Sequence, residues 1–348
     1  MQAVEILEEL YKFYSPSGQE ESILSWIALF LKRKGFDISW QEYDPGRFNL
    51  YAYRGEAPFL IATHVDVYYG GRPNQLTLKS GFLYGPGVVD VRGQIAALLG
   101  AVSRVEAPFA LAFFSEEETS GAGSWHFEAH REFKGAVVLE PTQLSIANLL
   151  AGDVEVRITL EGLVRHGAFQ KSAVNPISFS CKLLSECKSL VASWEASPLF
   201  CPPLSLMVGR IEGGETSYVV PDGCVIECSF PFAPPRKLQE VKREVTFLLE
   251  QKEVHFEVLD ENPAFALSEG EEVVSCLGKA FDKVFGEKPV FSGMPSWTDA
   301  TYLNLKGIPT VVFGAGDLAM AHSPHEVLSL RDLESLVEVL CHFAREYI

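Results

Sequence analysis

Four short apolar runs restrict the fold of this chain more than any other feature: Pro58-Phe-Leu-Ile-Ala-Thr63, Pro108-Phe-Ala-Leu-Ala-Phe-Phe114, Gly135-Ala-Val-Val-Leu139 and Ile308-Pro-Thr-Val-Val-Phe313. None alternates polar with apolar positions, so each reads as a strand buried on both faces, as in a sheet covered by helices on either side. Sheets of this kind bind ligands beyond the carboxyl ends of their strands. Each run is followed by polar groups: His64-Val65-Asp66, then Glu116-Glu117-Glu118, then Glu140-Pro141-Thr142, then Gly314-Ala-Gly316 leading to His322. The expected class is α/β, a mixed sheet covered by helices on both faces, with an inserted α+β domain.

The helices are legible around these strands. Residues 4 to 14 carry apolar positions at helical spacing, and Ser17 with Glu20 predicts a capping box for a second helix that Gly35 ends. Gly85-Pro-Gly-Val-Val-Asp90 leads into an apolar helix from about Gln94 to Val105, and further helices are expected near 270 to 285 and 331 to 346. Residues 152 to about 260 differ. There Val154 to Leu160 and Cys224 to Cys228 alternate in the manner of half-buried strands, with helices at Pro176 to Val191 and Val241 to Leu249. The predicted organisation is a discontinuous catalytic domain, 1–151 plus 262–348, interrupted by an α+β lid or dimerisation domain at 152–261. A chain of 348 residues has room for both.

With 29 basic against 46 acidic residues, the net charge of −17 disfavours nucleic acid or an anionic membrane as partner. No run of 18 apolar residues occurs, and Glu5, Glu8 and Glu9 in the amphipathic start do not suit a signal peptide, so a cytoplasmic protein is expected. The seven cysteines are scattered without a CxxC pair and read as reduced structural thiols.

Three adjacent glutamates raise one another's pKa values and require cations or strong donors against them. No Lys or Arg lies between Val105 and His130, which makes a metal ion the leading candidate. His64 and Asp66, two apart in an extended segment, point to one side, so Asp66 can orient the ring by accepting its second N–H. Asp90, Glu118, Glu140 and His322 complete enough nitrogen and oxygen donors for two ions sharing a carboxylate. The donor set favours zinc and also admits cobalt or manganese.

Taken together, Thr63-His-Val-Asp66, Gly85-Pro-Gly-Val-Val-Asp90, the glutamates with downstream Gly121 and Gly123, Leu139-Glu-Pro-Thr142 and Ala321-His-Ser-Pro-His-Glu326 resemble a known family along the whole chain. It is that of the dinuclear zinc amidohydrolases and peptidases, including acetylornithine deacetylase, succinyl-diaminopimelate desuccinylase and aminoacylase. The resemblance implies a zinc-peptidase-like catalytic domain with His64 and Glu140 on one ion, Glu118 and His322 on the other, and Asp90 bridging. It makes Glu117 the general base for attack by a water shared between two divalent ions, zinc first and cobalt second, with Glu326 as the acid paired with His322. Glu116 is left replaceable, as a solvated loop acid. Gly162-Leu-Val-Arg-His166-Gly167 resembles the family's histidine segment, which reaches the opposite subunit's site. This implies a homodimer through the inserted domain, with His166 polarising the scissile carbonyl. Asn175, Tyr218, Thr298 and Asp299 are the expected substrate-binding residues.

Each assignment has an ordinary competitor: a structural histidine for His64, a helix N-cap for Asp90, a solvated loop for the glutamates and turn chemistry for Glu140. The five motifs in order outweigh these. His126 and His130 lack the HExxH pattern and read as surface residues, His325 lies at most behind the ligands, and Gly85-Pro-Gly87 lacks the third glycine of a dinucleotide loop. The chain departs from the family where the deacetylases carry a carboxylate-binding arginine, a position held here by Pro231. Either another group binds that end of the substrate or the substrate differs from the usual N-acyl amino acids; the resemblance implies a small N-acyl amino acid or a short peptide. Three functions stay open: an N-acyl amino acid deacylase of the acetylornithine or acetyllysine type, a di- or tripeptidase or aminopeptidase on the same site, and a catalytically silent scaffold.

Overall fold

The computed structural model describes residues 2–194 and 197–347. The chain divides into two compact units, one comprising Met1–Asn148, Leu267–Ser292 and Thr298–Ile348, the other Leu149–Ala266 with Gly293–Trp297.

The first unit is built on a mixed sheet. Its order runs Asp37–Asp44, Arg47–Arg54, Phe109–Phe114, Phe59–His64, Gly135–Val138, Thr310–Val312, Ile146–Leu150. The four apolar runs are its centre, and they are mutually parallel. Every residue of Phe59–His64, Phe109–Phe114 and Gly135–Val138 is buried, as unalternating strands require. On one face, Phe59, Ile61, Leu111, Phe113, Val137 and Val311 join a core with the helices Ala3–Leu10, Glu21–Lys32, Arg92–Arg104, Glu272–Phe285 and Leu330–Tyr347. On the other, Phe114 packs edge-on against Phe127, and the short helix Ala300–Leu305 meets the strands Gly135–Val138 and Thr310–Val312.

The Asp37–Asp44 and Arg47–Arg54 hairpin, which extends the sheet antiparallel, is an addition to the elements expected from sequence. The capping box is a correction. The second helix starts at Glu21 with no side-chain cap, and Ser17 instead donates its hydroxyl to Asp66 Oδ2 at 2.7 Å. A tertiary acceptor has displaced the local one.

The second unit contains an antiparallel sheet in the order Met207–Gly213, Gly223–Ser229, Asp153–Glu161, His255–Asn262. Burial alternates strictly along Asp153–Glu161 and Gly223–Ser229. Val154, Val156, Ile158, Cys224, Ile226 and Cys228 pack with Leu183, Cys187 and Val191 of helix Pro176–Ser193, and with Val241, Val245 and Leu249 of helix Leu238–Glu250. On the opposite face Arg157 bridges Glu227 and Glu257. Among the described residues, no helix is long and apolar enough to cross a membrane.

The central strands should tolerate little loss of volume. Leu111→Ala, at a fully buried position paired with Ile61 and Ala52, is expected to cost about 2–5 kcal/mol of stability, read from the midpoint of denaturant unfolding.

Candidate metal centre

Because the four central strands are parallel, their carboxyl ends share one edge of the sheet, and the polar residues that follow them converge there. His64 ends its strand fully buried. Its Nε2 lies 3.0 Å from Asp90 Oδ1, 3.4 Å from Glu140 Oε1 and 3.9 Å from Glu117 Oε2. Its Nδ1 faces Asp66, 3.3 Å from Oδ1. Asp90 turns its other oxygen, Oδ2, to within 3.4 Å of His322 Nε2, which also lies 2.8 Å from Glu118 Oε2. Two groups of donors result, His64 with Glu117 and Glu140, and Asp90 with Glu118 and His322, each with its donor atoms within 4.8 Å of one another.

The supports of these groups are equally specific. Asp66 orients His64 and also accepts the backbone N–H of Glu117 at 3.2 Å and of Glu118 at 3.0 Å. Glu326 accepts the N–H groups of Gly87, Val89 and Asp90 and pairs with Arg72 at 2.9 Å, so it fixes the loop that presents Asp90. Downstream of the glutamates, Gly121 is left-handed, with φ +63. A Cβ on Gly123 would stand 2.4 Å from the Ser115 carbonyl. Only glycine lets the chain double back this closely. Glu116 and His322 are also left-handed, with φ +63 and +57, a conformation that non-glycine residues adopt at a cost.

Crowding shapes the protonation of the centre. Burial alone would lower the pKa of His64, but Glu117 and Glu140, with Asp66 and Asp90 accepting its hydrogen bonds, outweigh this and raise it far above the usual imidazole value. His322, bonded to Asp90 and Glu118, is pushed up to about 10. Burial raises Glu117 and Glu140 well above the carboxylate range, whereas hydrogen bonds from both imidazoles overcome burial at Asp90 and hold it low. These shifts express the carboxylates' demand for positive charge, which a bound cation would meet in place of the imidazole protons. Glu140 Oε1 is buried without a hydrogen-bond donor, as expected of an atom shaped to meet a metal ion. The donors are nitrogen and oxygen only, so the residues present fit divalent ions of the zinc type.

Glu116 is not the solvated acid expected. Arg47 Nη2 lies 2.6 Å from its Oε1, and the Tyr43 hydroxyl donates to its Oε2 at 2.9 Å. A cation therefore does stand against the triplet, supplied by a distant strand rather than by the local sequence. Arg47 and Asn49, which holds the Gly123 carbonyl and the Ser115 amide, are not singled out from sequence because no local spacing links them to the glutamates, and Glu20 is read there only as part of a helix cap.

The remaining expected residues are spread over both units. Thr298 and Asp299 are buried in the first unit, where Thr298 Oγ1 accepts the Ala300 amide and neither Asp299 oxygen has a donor at hydrogen-bonding geometry. In the second unit His166 is exposed and accepts the Ala168 amide, Asn175 caps helix Pro176–Ser193 through Ile177 and Ser178, and Tyr218 is 75% exposed. His126, His130 and His325 are exposed and belong to neither donor group.

A double cluster of carboxylates and imidazoles at the carboxyl edge of an α/β sheet, buried around His64 and open to solvent at His322, is the arrangement of a metallohydrolase site. Residues 60–346 match Peptidase family M20/M25/M40, and the chain belongs to this family, whose members are hydrolases acting on amide bonds. It is 24% identical to the succinyl-diaminopimelate desuccinylase of Hydrogenovibrio crunogenus, over 97% of each chain. It is 25% identical to the acetylornithine deacetylase of Vibrio vulnificus, over 94% of this chain and 90% of that one. A tripeptidase from Staphylococcus aureus shares the fold with a TM-score of 0.81 at 18% identity, covering 99% of this chain and 97% of that one. A dinuclear metal-binding M20 peptidase from Bacillus subtilis does so with a TM-score of 0.66 at 15% identity, covering 99% and 98%.

Asp299 gives a test of the electrostatics. Burial pushes its carboxyl up to about 7, against the favourable influence of His64 and nearby Ser124. A carboxyl whose pKa is higher in the folded than in the unfolded state makes stability fall as pH rises from the unfolded value, about 4, to the folded one. In chelator, Asp299→Asn should flatten the decline in stability between about pH 4 and 7, measured by denaturant midpoints across that range.

Proposed function

We propose that this chain is a two-metal amidohydrolase that removes the acyl group from an N-acyl amino acid of the acetylornithine or acetyllysine type. The observation that carries the reading is Asp90, whose two oxygens face His64 and His322 separately, as a bridging carboxylate would. His64 and Glu140 would hold one ion, Glu118 and His322 the other, with zinc the best match to the donors. Bound there, divalent ions supply Lewis acidity toward the amide carbonyl and acidify a water molecule.

The chain's own residues would do the rest. Glu117 stands 3.9 Å from His64 Nε2, and burial raises its affinity for a proton. That suits a base which takes a proton from the attacking water and returns it to the departing amine. Asp66 keeps His64 turned with Nε2 toward Asp90 and Glu140. His166 would polarise the scissile carbonyl across a homodimer.

A second reading, a di- or tripeptidase or aminopeptidase, draws support from the missing guanidinium. Pro231 stands where a carboxylate-binding arginine is expected, and Arg72 and Arg47, both close to the centre, are already engaged by acceptors of the protein. A silent scaffold is disfavoured by the complete set of ligands and base.

Glu117→Gln should retain both ions by metal analysis and lose roughly a hundred- to ten-thousand-fold in kcat. Asp90→Ala should lose metal. Turnover by Glu117→Gln at the unsubstituted rate would sink the assignment, and a panel of acyl amino acids and small peptides would separate the two substrate classes.

We take the inserted domain as lid and dimerisation element. Its edge strand Met207–Gly213 is exposed along nearly its whole length, with Met207 65% and Ile211 49% exposed. An uncovered edge with apolar side chains is suited to pairing with a second copy. Ile211→Lys should convert the dimer to monomer in analytical ultracentrifugation and lower kcat together with it. A wild-type chain that sediments as a monomer would end this part of the reading.

A further inference from the structure

The amides of Glu116, Glu117 and Glu118 are all held by carboxylates from elsewhere in the chain. Glu20 Oε1 accepts Glu116 N–H at 3.2 Å and also Gly18 N–H at 2.9 Å. Asp66 accepts the next two. The Glu116 carbonyl in turn accepts the amides of Ser120 and Gly121 at 3.0 and 2.7 Å, closing the turn that starts from its left-handed backbone. The turn that carries Glu117 and Glu118 is therefore pinned at its first amide by Glu20, and the Glu116 carboxylate of the same turn, 24% exposed, shares a cation with Glu20. Glu20 is only 4% exposed.

Arg47 reconciles them. One end of its guanidinium lies 3.5 Å from Glu20 Oε2 and the other 2.6 Å from Glu116 Oε1, and the side chain is 16% exposed. The Tyr43 hydroxyl adds one neutral donor to Glu116. Its planar charge lies within ion-pair range of both carboxylates at once.

We propose that Arg47, acting through Glu20 and Glu116, is a positioning residue for the Glu117–Glu118 pair. Without it, two like charges would face one another beneath the turn, and the loop would relieve them by moving. The displacement falls on the acid expected to carry the proton and the acid expected to hold an ion. This inference rests on the metallohydrolase reading above, and it reverses the expectation that Glu116 is replaceable.

The variant Arg47→Gln is a fair test because the shortened side chain faces a hollow of about 280 Å³ lined by Gly18, Glu20, Glu21, Ser22 and Ser115 among others, which water can fill. The full-length chain is stripped of metal and titrated with Co²⁺ by visible absorption, and kcat, KM and Tm are measured at saturating Co²⁺. Supporting groups around metal ligands typically contribute ten- to a hundredfold to affinity or activity. Arg47→Gln should therefore bind one of two Co²⁺ equivalents ten- to a hundredfold more weakly, with an altered ligand-field spectrum and a lower kcat at nearly unchanged KM. Arg47→Lys should recover part of each loss. If Arg47→Gln does not fold, the double variant Arg47→Gln/Glu116→Gln, which removes the facing charge as well, is read in the same titration and should bind both Co²⁺ equivalents near wild-type affinity; binding weakened tenfold or more there overturns the inference. Wild-type affinity, spectrum and kcat in Arg47→Gln itself, with only Tm lowered, overturns the inference and leaves the enzyme reading standing. A wild-type chain that binds two Co²⁺ but hydrolyses no acyl amino acid or peptide overturns the enzyme reading, and the cobalt comparison still decides the role of Arg47. No cobalt uptake by the wild type overturns both.

Discussion

Mutual repulsion among carboxylates is the constraint on which the rest of the structure depends. Asp66, Asp90, Glu117, Glu118 and Glu140 all meet at one edge of the sheet, with Glu20 and Glu116 just behind them. Burying so much like charge is untenable without compensation. The chain distributes that compensation by depth. Backbone amides meet Asp66 and Glu326, Arg47 meets the carboxylates behind the loop, and two imidazoles meet the inner ones. Among the oxygens these leave without a hydrogen-bond donor is Glu140 Oε1, which faces His64 Nε2. A divalent cation is the natural complement of such a residue of charge.

Much of this was legible in the sequence, and the reason is that parallel strands announce themselves. Phe59–Ala62, Phe109–Phe114 and Gly135–Val138 carry no polar side chain on either face, so both the two-sided burial and the importance of whatever follows could be read directly. The residues that escaped belong to another class. Ser17 and Glu20 are spelled like a helix cap, yet Ser17 serves Asp66 and Glu20 serves the Glu116 amide. Arg47 lies in a strand that also went unrecognised, within a hairpin whose partner contacts are all tertiary. Local spacing specifies local partners only. Contacts set by the folding of one element across another leave no mark at short range in the chain.

The first unit also illustrates how precision is conferred on loops. Neither the Glu116–Glu118 turn nor the Gly85–Asp90 loop has regular structure of its own, but each is held amide by amide through buried carboxylates, Glu20 and Asp66 for one and Glu326 for the other. Side chains that must act within tenths of an ångström are thus placed by a rigid scaffold at one remove. Acidic residues perform both tasks here, some presenting charge to the site and some absorbing backbone donors beneath it.

The strand Thr310–Val312 has a bearing on how the protein comes to exist. It lies inside the sheet, parallel to Gly135–Val138 on one side and paired at Val312 with Ala147 on the other, although both neighbours are made long before it. During synthesis Gly135–Val138 must wait as an uncovered edge while the whole inserted segment, which has a hydrophobic core of its own, emerges and folds. Contacts so distant in sequence close slowly, and an apolar strand edge left open is prone to pair with the wrong partner. Completion of the sheet, and with it delivery of His322 to its carboxylates, therefore belongs to the last stage of folding.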